Sequence, residues 1–189
     1  MIRARRSAAQ TIALAIVLIV CAAASLLAAH GAKGILGTLL AALMIAIAVT
    51  DARRWIIPDE LSAAAFVLGV LHAALTAQDT MWQAMAFALL RALIAAMLFY
   101  GILVGYRMLR GHDGLGLGDV KLAAVAGVWL DWLGIAAAVE MAALSALAAY
   151  LAVSLFAGRK MRRTAALPLG LFLAPSIWLA WLGETVLLR

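Results

Sequence analysis

The stretch Leu117-Gly-Asp-Val-Lys-Leu-Ala-Ala-Val-Ala-Gly-Val-Trp-Leu130 decides the fold, because the number of membrane helices depends on how it is counted. It continues through Asp131-Trp132 into a second apolar run that ends at Ala157. The 41 residues from Leu117 to Ala157 are enough for two helices of about 20 residues with a turn near Asp131. We therefore predict two membrane spans in this part of the chain.

The composition of the 189-residue chain indicates a membrane protein. Hydrophobic residues make up 68% of it and charged residues 13%, and the mean hydropathy is +1.10. The net charge of +6 comes from short Arg and Lys clusters between apolar segments, so we expect the lipid bilayer and no nucleic acid as a partner. Cys21 is the single cysteine, which excludes an intramolecular disulfide and a Cys-x-x-Cys zinc site.

The apolar pattern predicts an all-α fold, a polytopic membrane helix bundle with about seven transmembrane segments and one domain over residues 1–189. The first segment follows a basic N-terminus as in a signal sequence, but it is too long for a usual signal core, so we interpret it as a retained helix. The predicted segments are Ala8–Ala29, Gly34–Thr50, Glu60–Leu75, Trp82–Gly105, Leu117–Leu130, Leu133–Ala157 and Leu167–Leu188.

The basic residues predict how the bundle is oriented. With seven spans and a cytoplasmic N-terminus, Lys33 and Arg189 lie outside and Arg91 lies within the fourth segment. The other twelve of the fifteen basic residues are then cytoplasmic, as the positive-inside rule requires. They are Arg3, Arg5, Arg6, Arg53, Arg54, Arg107, Arg110, Lys121, Arg159, Lys160, Arg162 and Arg163.

Two aspartates fall at the predicted cytoplasmic ends of different segments. Asp51 ends the second segment and Asp119 begins the fifth. Carboxylates at the edge of a bilayer are costly and usually functional. Two carboxyl groups that share a proton hydrolyse amides without metal, because the ionised one takes a proton from water while the protonated one donates to the carbonyl oxygen. We therefore predict Asp51 and Asp119 as the catalytic pair of an aspartic-type endopeptidase, with no cofactor and no metal.

The helix dipole predicts different roles for the two aspartates. Asp119 lies at a helix N-terminus, which favours the anion, and Asp51 lies near a C-terminus, which disfavours it. The dipole therefore predicts Asp119 as the base and Asp51 as the acid. The positive charges of Arg53 and Arg54 oppose the destabilisation of the Asp51 anion by the helix C-terminus.

The loop before Asp119 is rich in glycine. Gly116 and Gly118 leave room for an extended peptide backbone to approach and pair with an exposed edge. The alternative is a loop that ends in an Asp119 N-cap on the fifth helix. Asp113 is a solvated loop residue or a substrate contact, and Lys121 either tunes Asp119 or reaches the headgroups.

Further charged residues have structural interpretations. Asp59 follows Pro58 at the start of the third helix, where helix capping is favoured over catalysis. Arg91 lies near mid-membrane and needs a partner, for which Glu140 is the candidate.

Three motifs together resemble the type IV prepilin peptidases, a branch of the Gly-x-Gly-Asp intramembrane aspartyl proteases. They are Asp51-Ala-Arg-Arg-Trp-Ile-Ile-Pro-Asp-Glu-Leu61, Gly116-Leu-Gly-Asp-Val-Lys-Leu-Ala-Ala124 and Leu167-Pro-Leu-Gly-Leu-Phe-Leu-Ala-Pro175. The resemblance implies that the protein lies in the bacterial inner membrane with its active site facing the cytoplasm. It also implies that the protein removes the basic leader from prepilins or pseudopilins after a glycine that precedes a hydrophobic helix. The family's catalytic pair maps onto Asp51 and Asp119.

The chain departs from the larger members of that family. Those carry a cytoplasmic insert, often with Cys-x-x-Cys motifs, and methylate the new N-terminus with S-adenosylmethionine. No such insert fits between the first helices here. The compact form resembles the tight-adherence (Flp) pilus branch, and we expect a peptidase without methyltransferase activity.

Other functional classes remain open at this point. A small polytopic transporter would use Asp51, Asp119, Arg91 and Glu140 as a polar pathway, although most charges lie at the cytoplasmic edge. A non-enzymatic membrane component of a pilus or secretion system would tolerate loss of either aspartate. A metal-dependent hydrolase would add Asp59, His112 and Asp113 as ligands, and chelators would inhibit it.

Overall fold

The computed structural model describes residues 2–77, 80–110, 116–156 and 168–187, and this part of the chain is entirely helical outside its short connections. The seven predicted helices are confirmed. They are α1 Ile2–Ala28, α2 Ala32–Arg54, α3 Asp59–Leu75, α4 Met81–Arg110, α5 Leu117–Trp129, α6 Trp132–Phe156 and α7 Leu169–Leu187.

Helix length separates the seven helices into two groups. In the described part of the chain, α1, α2, α4, α6 and α7 are long and apolar enough to cross a membrane, so the chain is a multi-pass membrane protein. The 17 residues of α3 and the 13 residues of α5 are fewer than a full span needs. Most of α5 is buried between other helices, chiefly α3, α4 and α7, so its length is set by protein packing and not by the thickness of the bilayer.

The helices alternate in direction as the seven-segment pattern predicts. At one end of the bundle, Asp51 of α2 meets Leu171 of α7, and Lys121 of α5 pairs with Asp59 of α3. At the opposite end, Asp131 lies against Glu184 near the end of α7. The C-terminus of α2 and the N-termini of α3, α5 and α7 therefore share one end, which we call the Asp51 end.

Small residues allow the helix backbones to approach closely. A Cβ added to Gly37 of α2 would lie 1.9 Å from the ring of Trp181 on α7, and one added to Gly127 of α5 would lie 2.5 Å from Cα of Ala92 on α4. Close approach at small residues is how helices gain packing energy in a membrane. These contacts join α2 to α7 and α5 to α4, and α2, α5 and α7 surround one core. Its fully buried large side chains include Leu40, Met44, Ile47, Leu122, Val125, Leu173, Ile177 and Trp181.

Arg91 has different partners from the one expected. Its Nε donates to the Gly127 carbonyl at 3.3 Å, and its charge acts on Asp131 and Glu184. Glu140, the expected partner, is exposed on α6. The reason is that α4 packs against α5, whereas α6 packs against α7, so Glu140 is on a helix that Arg91 does not face.

Candidate active site

Asp51 is buried where α2 ends. Its side chain is only 5% exposed, and Oδ2 accepts a hydrogen bond of 2.9 Å from the backbone N–H of Leu171. Its own carbonyl accepts from the N–H of Trp55, which caps α2 in the left-handed conformation at φ 58°. This cap turns the chain sharply after α2 and directs the next residues back over the Asp51 side chain.

Asp119 is buried to a similar extent in the first turn of α5. It is 7% exposed, and its Oδ2 accepts a hydrogen bond of 3.0 Å from the N–H of Gly116. Gly116 is the N-cap residue, and the N–H of Asp119 donates back to its carbonyl. The alternative with Asp119 as the N-cap was therefore wrong by three residues, since Asp119 is the third residue of the helix and its carboxylate accepts from the N–H of the N-cap residue.

The two carboxyl groups lie at the same end of the bundle and interact electrostatically. Ile57, 8% exposed, packs against Gly118, the residue before Asp119, and against Gly170 beside Asp51. A Cβ on Gly118 would be 2.9 Å from Ile57 Cβ, and a Cβ on Gly170 would be 2.8 Å from both Ile57 Cδ1 and Asp51 Oδ2. Both glycines are therefore needed for this packing, whereas a Cβ on Gly116 would make only an ordinary contact, at 3.5 Å.

The electrostatic distinction between the aspartates is weaker than the sequence suggests. Leu171, which donates to Asp51, lies in the first turn of α7, so the positive end of the α7 dipole faces that carboxylate. Asp119 receives the same kind of stabilisation from α5. Because both carboxylates face a helix N-terminus, the dipole argument no longer separates an acid from a base.

Two further charged residues of the Asp51 end form a separate pair. The Lys121 ammonium pairs with the Asp59 carboxylate, and the two side chains are 44% and 76% exposed. The partner of Lys121 is therefore Asp59. Pro58 is the N-cap residue of α3, and its carbonyl accepts from both the N–H and the hydroxyl of Ser62, so Asp59 is a first-turn acid and not the cap itself.

The expectations for Asp113, as a loop residue or substrate contact and as a metal ligand with His112, fall on residues that the structure does not describe. Asp113, together with His112, belongs to the segment 111–115, which lies outside the described residues. Among the described residues, His, Cys, Asp and Glu form no group of three able to hold a metal ion.

Sequence reasoning missed three contributors to the site. They are the Leu171 N–H, the space at Gly170 and the Ile57 side chain. Two of them belong to the Leu167–Pro175 motif, whose glycine was a usable signal, but only the tertiary structure shows that it meets Asp51. Ile57 gave no distinct signal because an isoleucine beside a helix start has many structural reasons to be there.

Comparison with known proteins bears directly on this arrangement. Residues 38–159 match the sequence profile described as the type IV leader peptidase family. Leader peptidase HopD of Escherichia coli is 34% identical over 136 residues, which cover 72% of this chain and 84% of HopD. No solved structure gives a significant match.

Longer relatives match over a smaller share of their length. A prepilin leader peptidase/N-methyltransferase of Aeromonas hydrophila is 26% identical over 155 residues, or 79% of this chain and 51% of that protein. One of the same description from Burkholderia pseudomallei strain K96243 is 38% identical over 140 residues, covering 71% and 42%. The chain thus spans about half of these longer relatives, while the family profile covers most of the chain itself. The chain belongs to the type IV leader peptidase family.

Proposed function

We propose that this protein is a membrane aspartyl endopeptidase that removes the leader peptide from prepilins or pseudopilins. The observation that carries the proposal is the pair of buried carboxyl groups, Asp51 and Asp119, at one end of a membrane helix bundle. Membership of a leader peptidase family supports the reaction class. The names of the longer relatives support prepilins as the substrate class.

The proposed chemistry uses the pair as an acid and a base. The ionised carboxylate takes a proton from a water molecule, whose oxygen attacks the carbonyl carbon of the scissile bond, while the protonated carboxyl donates its proton to the carbonyl oxygen. The tetrahedral intermediate then breaks its C–N bond, and the leaving amine takes up a proton from the pair. Either aspartate can begin as the base, since both accept a backbone N–H at a helix N-terminus.

The backbone hydrogen bonds support this chemistry by fixing geometry. Both bonds use Oδ2, from Leu171 to Asp51 and from Gly116 to Asp119. A carboxyl group held by the main chain loses little freedom when it meets water and substrate, which lowers the entropic part of the barrier. Burial strengthens every electrostatic interaction at the same place.

We propose that the Asp51 end faces the cytoplasm in the bacterial inner membrane. The cluster of Arg53 and Arg54 beside Asp51, and Arg107 at the end of α4, support this orientation through the positive-inside rule. We also propose peptidase activity without N-methylation, because the intervals between helices at the Asp51 end, residues 55–58, 111–116 and 157–168, are too short to hold a cytoplasmic domain.

The test is cleavage of a co-expressed prepilin, followed as a gel shift. Asp51→Asn and Asp119→Asn keep the side-chain shape and remove the ionisable group, so each is expected to abolish processing. Asp59→Asn and Asp113→Asn are the matched controls and are expected to process normally. Full cleavage by either Asp51→Asn or Asp119→Asn, with all four proteins inserted at equal levels, would refute the mechanism. Insensitivity to chelators distinguishes it from a metal-dependent hydrolase.

A further inference from the structure

A lateral groove opens between α1, α2 and α7 on the Asp51 side of the bundle. It encloses about 460 Å³, which is within the range of about 300–1,000 Å³ typical of ligand sites. Its floor is one continuous face of α2 that includes Ala41, Ala48 and Ala52. These positions are seven and four residues apart, so they lie on the same side of the helix.

The groove exists because α1, over its described side chains from Gln10 to Ala28, is buried only in its second half. Cys21, Ser25 and Ala28 are buried, and the Trp178 indole of α7 donates to the Ser25 hydroxyl at 3.1 Å. From Gln10 to Val20 the side chains of α1 are exposed, apart from the half-buried Leu14. The helix is therefore fastened at the end far from Asp51, and the space beside its other half is open from the side that faces lipid.

The groove is continuous with the candidate active site. Leu171 lines the groove, and the N–H of the same residue donates to Asp51. Ala48 and Ala52 flank Asp51 along α2, one on each side in sequence. From Ala41 to Arg53 the lined face of α2 is about 18 Å long at 1.5 Å per residue. An occupant of the groove would thus extend from the carboxyl pair into the apolar layer.

The lining restricts the chemistry of the occupant. It is apolar except for Gln10 and Arg53, which are both near the Asp51 end. A peptide inside the apolar layer must satisfy its backbone hydrogen bonds internally, and a helix does so. The alanines of the floor let such a helix approach closely. A groove of this volume holds the side chains on one face of the helix, and the rest of the helix faces lipid.

We infer that this groove binds the apolar helix of the substrate, with the cleavage point held at Asp51 and Asp119. The inference rests on the proposed function, because it places the hydrophobic segment that follows the scissile bond. The substrate enters sideways from the bilayer between α1 and α2, and its leader emerges beyond Arg53. The α1 helix is then a wall of the binding site in addition to being a membrane anchor.

The first experiment compares two tryptophan substitutions on α1. Ala13 lines the groove and Ala15 does not, although both are exposed on the same helix. The full chain in proteoliposomes is given a prepilin-type peptide that carries its apolar helix, or a truncated peptide that stops soon after the cleavage point. Ala13→Trp is expected to raise KM about tenfold for the long peptide, and by less for the short peptide. Ala15→Trp is expected to stay within about twofold of the wild type in every assay.

The second experiment identifies the occupant directly. A photoreactive benzoylphenylalanine replaces Ala13 or Ala15 in the uncleaving Asp119→Asn background. Cross-links to the long peptide from position 13, and none from position 15, are expected. Equal yields at both positions, or cross-links from position 13 to lipid alone, would overturn the inference.

The outcomes separate this inference from the proposed function. Wild-type cleavage without a cross-link from position 13 refutes the groove and leaves the peptidase. Cross-linking at position 13 without cleavage by the wild type supports the groove and refutes the peptidase. If Ala13→Trp cleaves normally and its KM for the long peptide equals that of the wild type, this result also counts against the groove.

Discussion

Gly170→Ala is the sharpest test of how the site is held together. The added methyl group would lie 2.8 Å from Asp51 Oδ2 and 2.8 Å from Ile57 Cδ1, whereas ordinary contacts begin near 3.4 Å. The atoms around it belong to a buried carboxylate and a buried isoleucine. Neither can turn into solvent, so the carboxyl group, the start of α7 or both must shift.

The size of the effect follows from the required displacement. Relief of the contact needs a movement of about 0.6 Å, and a misplacement of 1 Å in a catalytic site costs on the order of 100-fold in rate. We therefore expect kcat to fall about 10-fold to 100-fold. Stability should change little, because alanine is favoured over glycine in a helix by about 1 kcal/mol, which offsets part of the steric cost.

Gly183→Ala is the matched control on the same helix. A Cβ at Gly183 meets nothing within 4 Å, so this variant should keep wild-type kcat and gain up to about 1 kcal/mol in stability. The assay is cleavage of a purified prepilin in detergent, with kcat and KM determined separately, beside thermal unfolding of the same samples. A folded Gly170→Ala protein with more than half of the wild-type kcat would show that Asp51 is not confined as described.

Two further predictions concern charges outside the carboxyl pair. Lys121→Met breaks an exposed ion pair with Asp59, so the free energy of unfolding should fall by less than about 1 kcal/mol; a larger loss in denaturant titration would mean that the pair is structurally important. In the α5–α6 turn, burial acts to raise the pKa of Asp131. Hydrogen bonds from the Gly134 N–H, the Glu184 side chain and the Leu133 N–H lower it, and so does the positive charge of Arg91. Together they outweigh burial and hold the pKa of Asp131 below its usual value. Since the unfolded-state pKa is about 3.9, the stability from this group is present above that pH and is lost as the pH falls through the lower folded-state value. Asp131→Asn should therefore flatten the acid side of the stability profile, and an unchanged profile below about pH 5 would contradict this.

Several features could be predicted from residue patterns because they depend on local chemistry. The seven helices follow from apolar runs separated by charged or turn-forming residues. The division of 117–157 into α5 and α6 followed from chain length and from the basic cluster after it. The same patterns predict that Asp51 and Asp119 lie at one end of the bundle, since the ends of successive membrane helices alternate between the two sides.

The partners of two charged residues could not be predicted, because they depend on which helices face each other. The apolar pattern predicts Glu140 as the partner of Arg91, but it does not show that α4 packs on α5, which gives Arg91 the Gly127 carbonyl instead. Lys121 is within one turn of Asp119 in sequence, yet it pairs with Asp59 because α3 packs beside α5.

By itself, the sequence determined the membrane class, the seven helices and the two aspartates, because hydropathy and charge act on each segment separately. Only the tertiary structure decided what surrounds those aspartates. The hydrogen bond from Leu171 to Asp51 joins residues 120 positions apart, and Gly170 and Gly118 come together around Ile57. Such contacts depend on the packing of small residues between helices, which in lipid is governed by shape, and no segment carries that information alone.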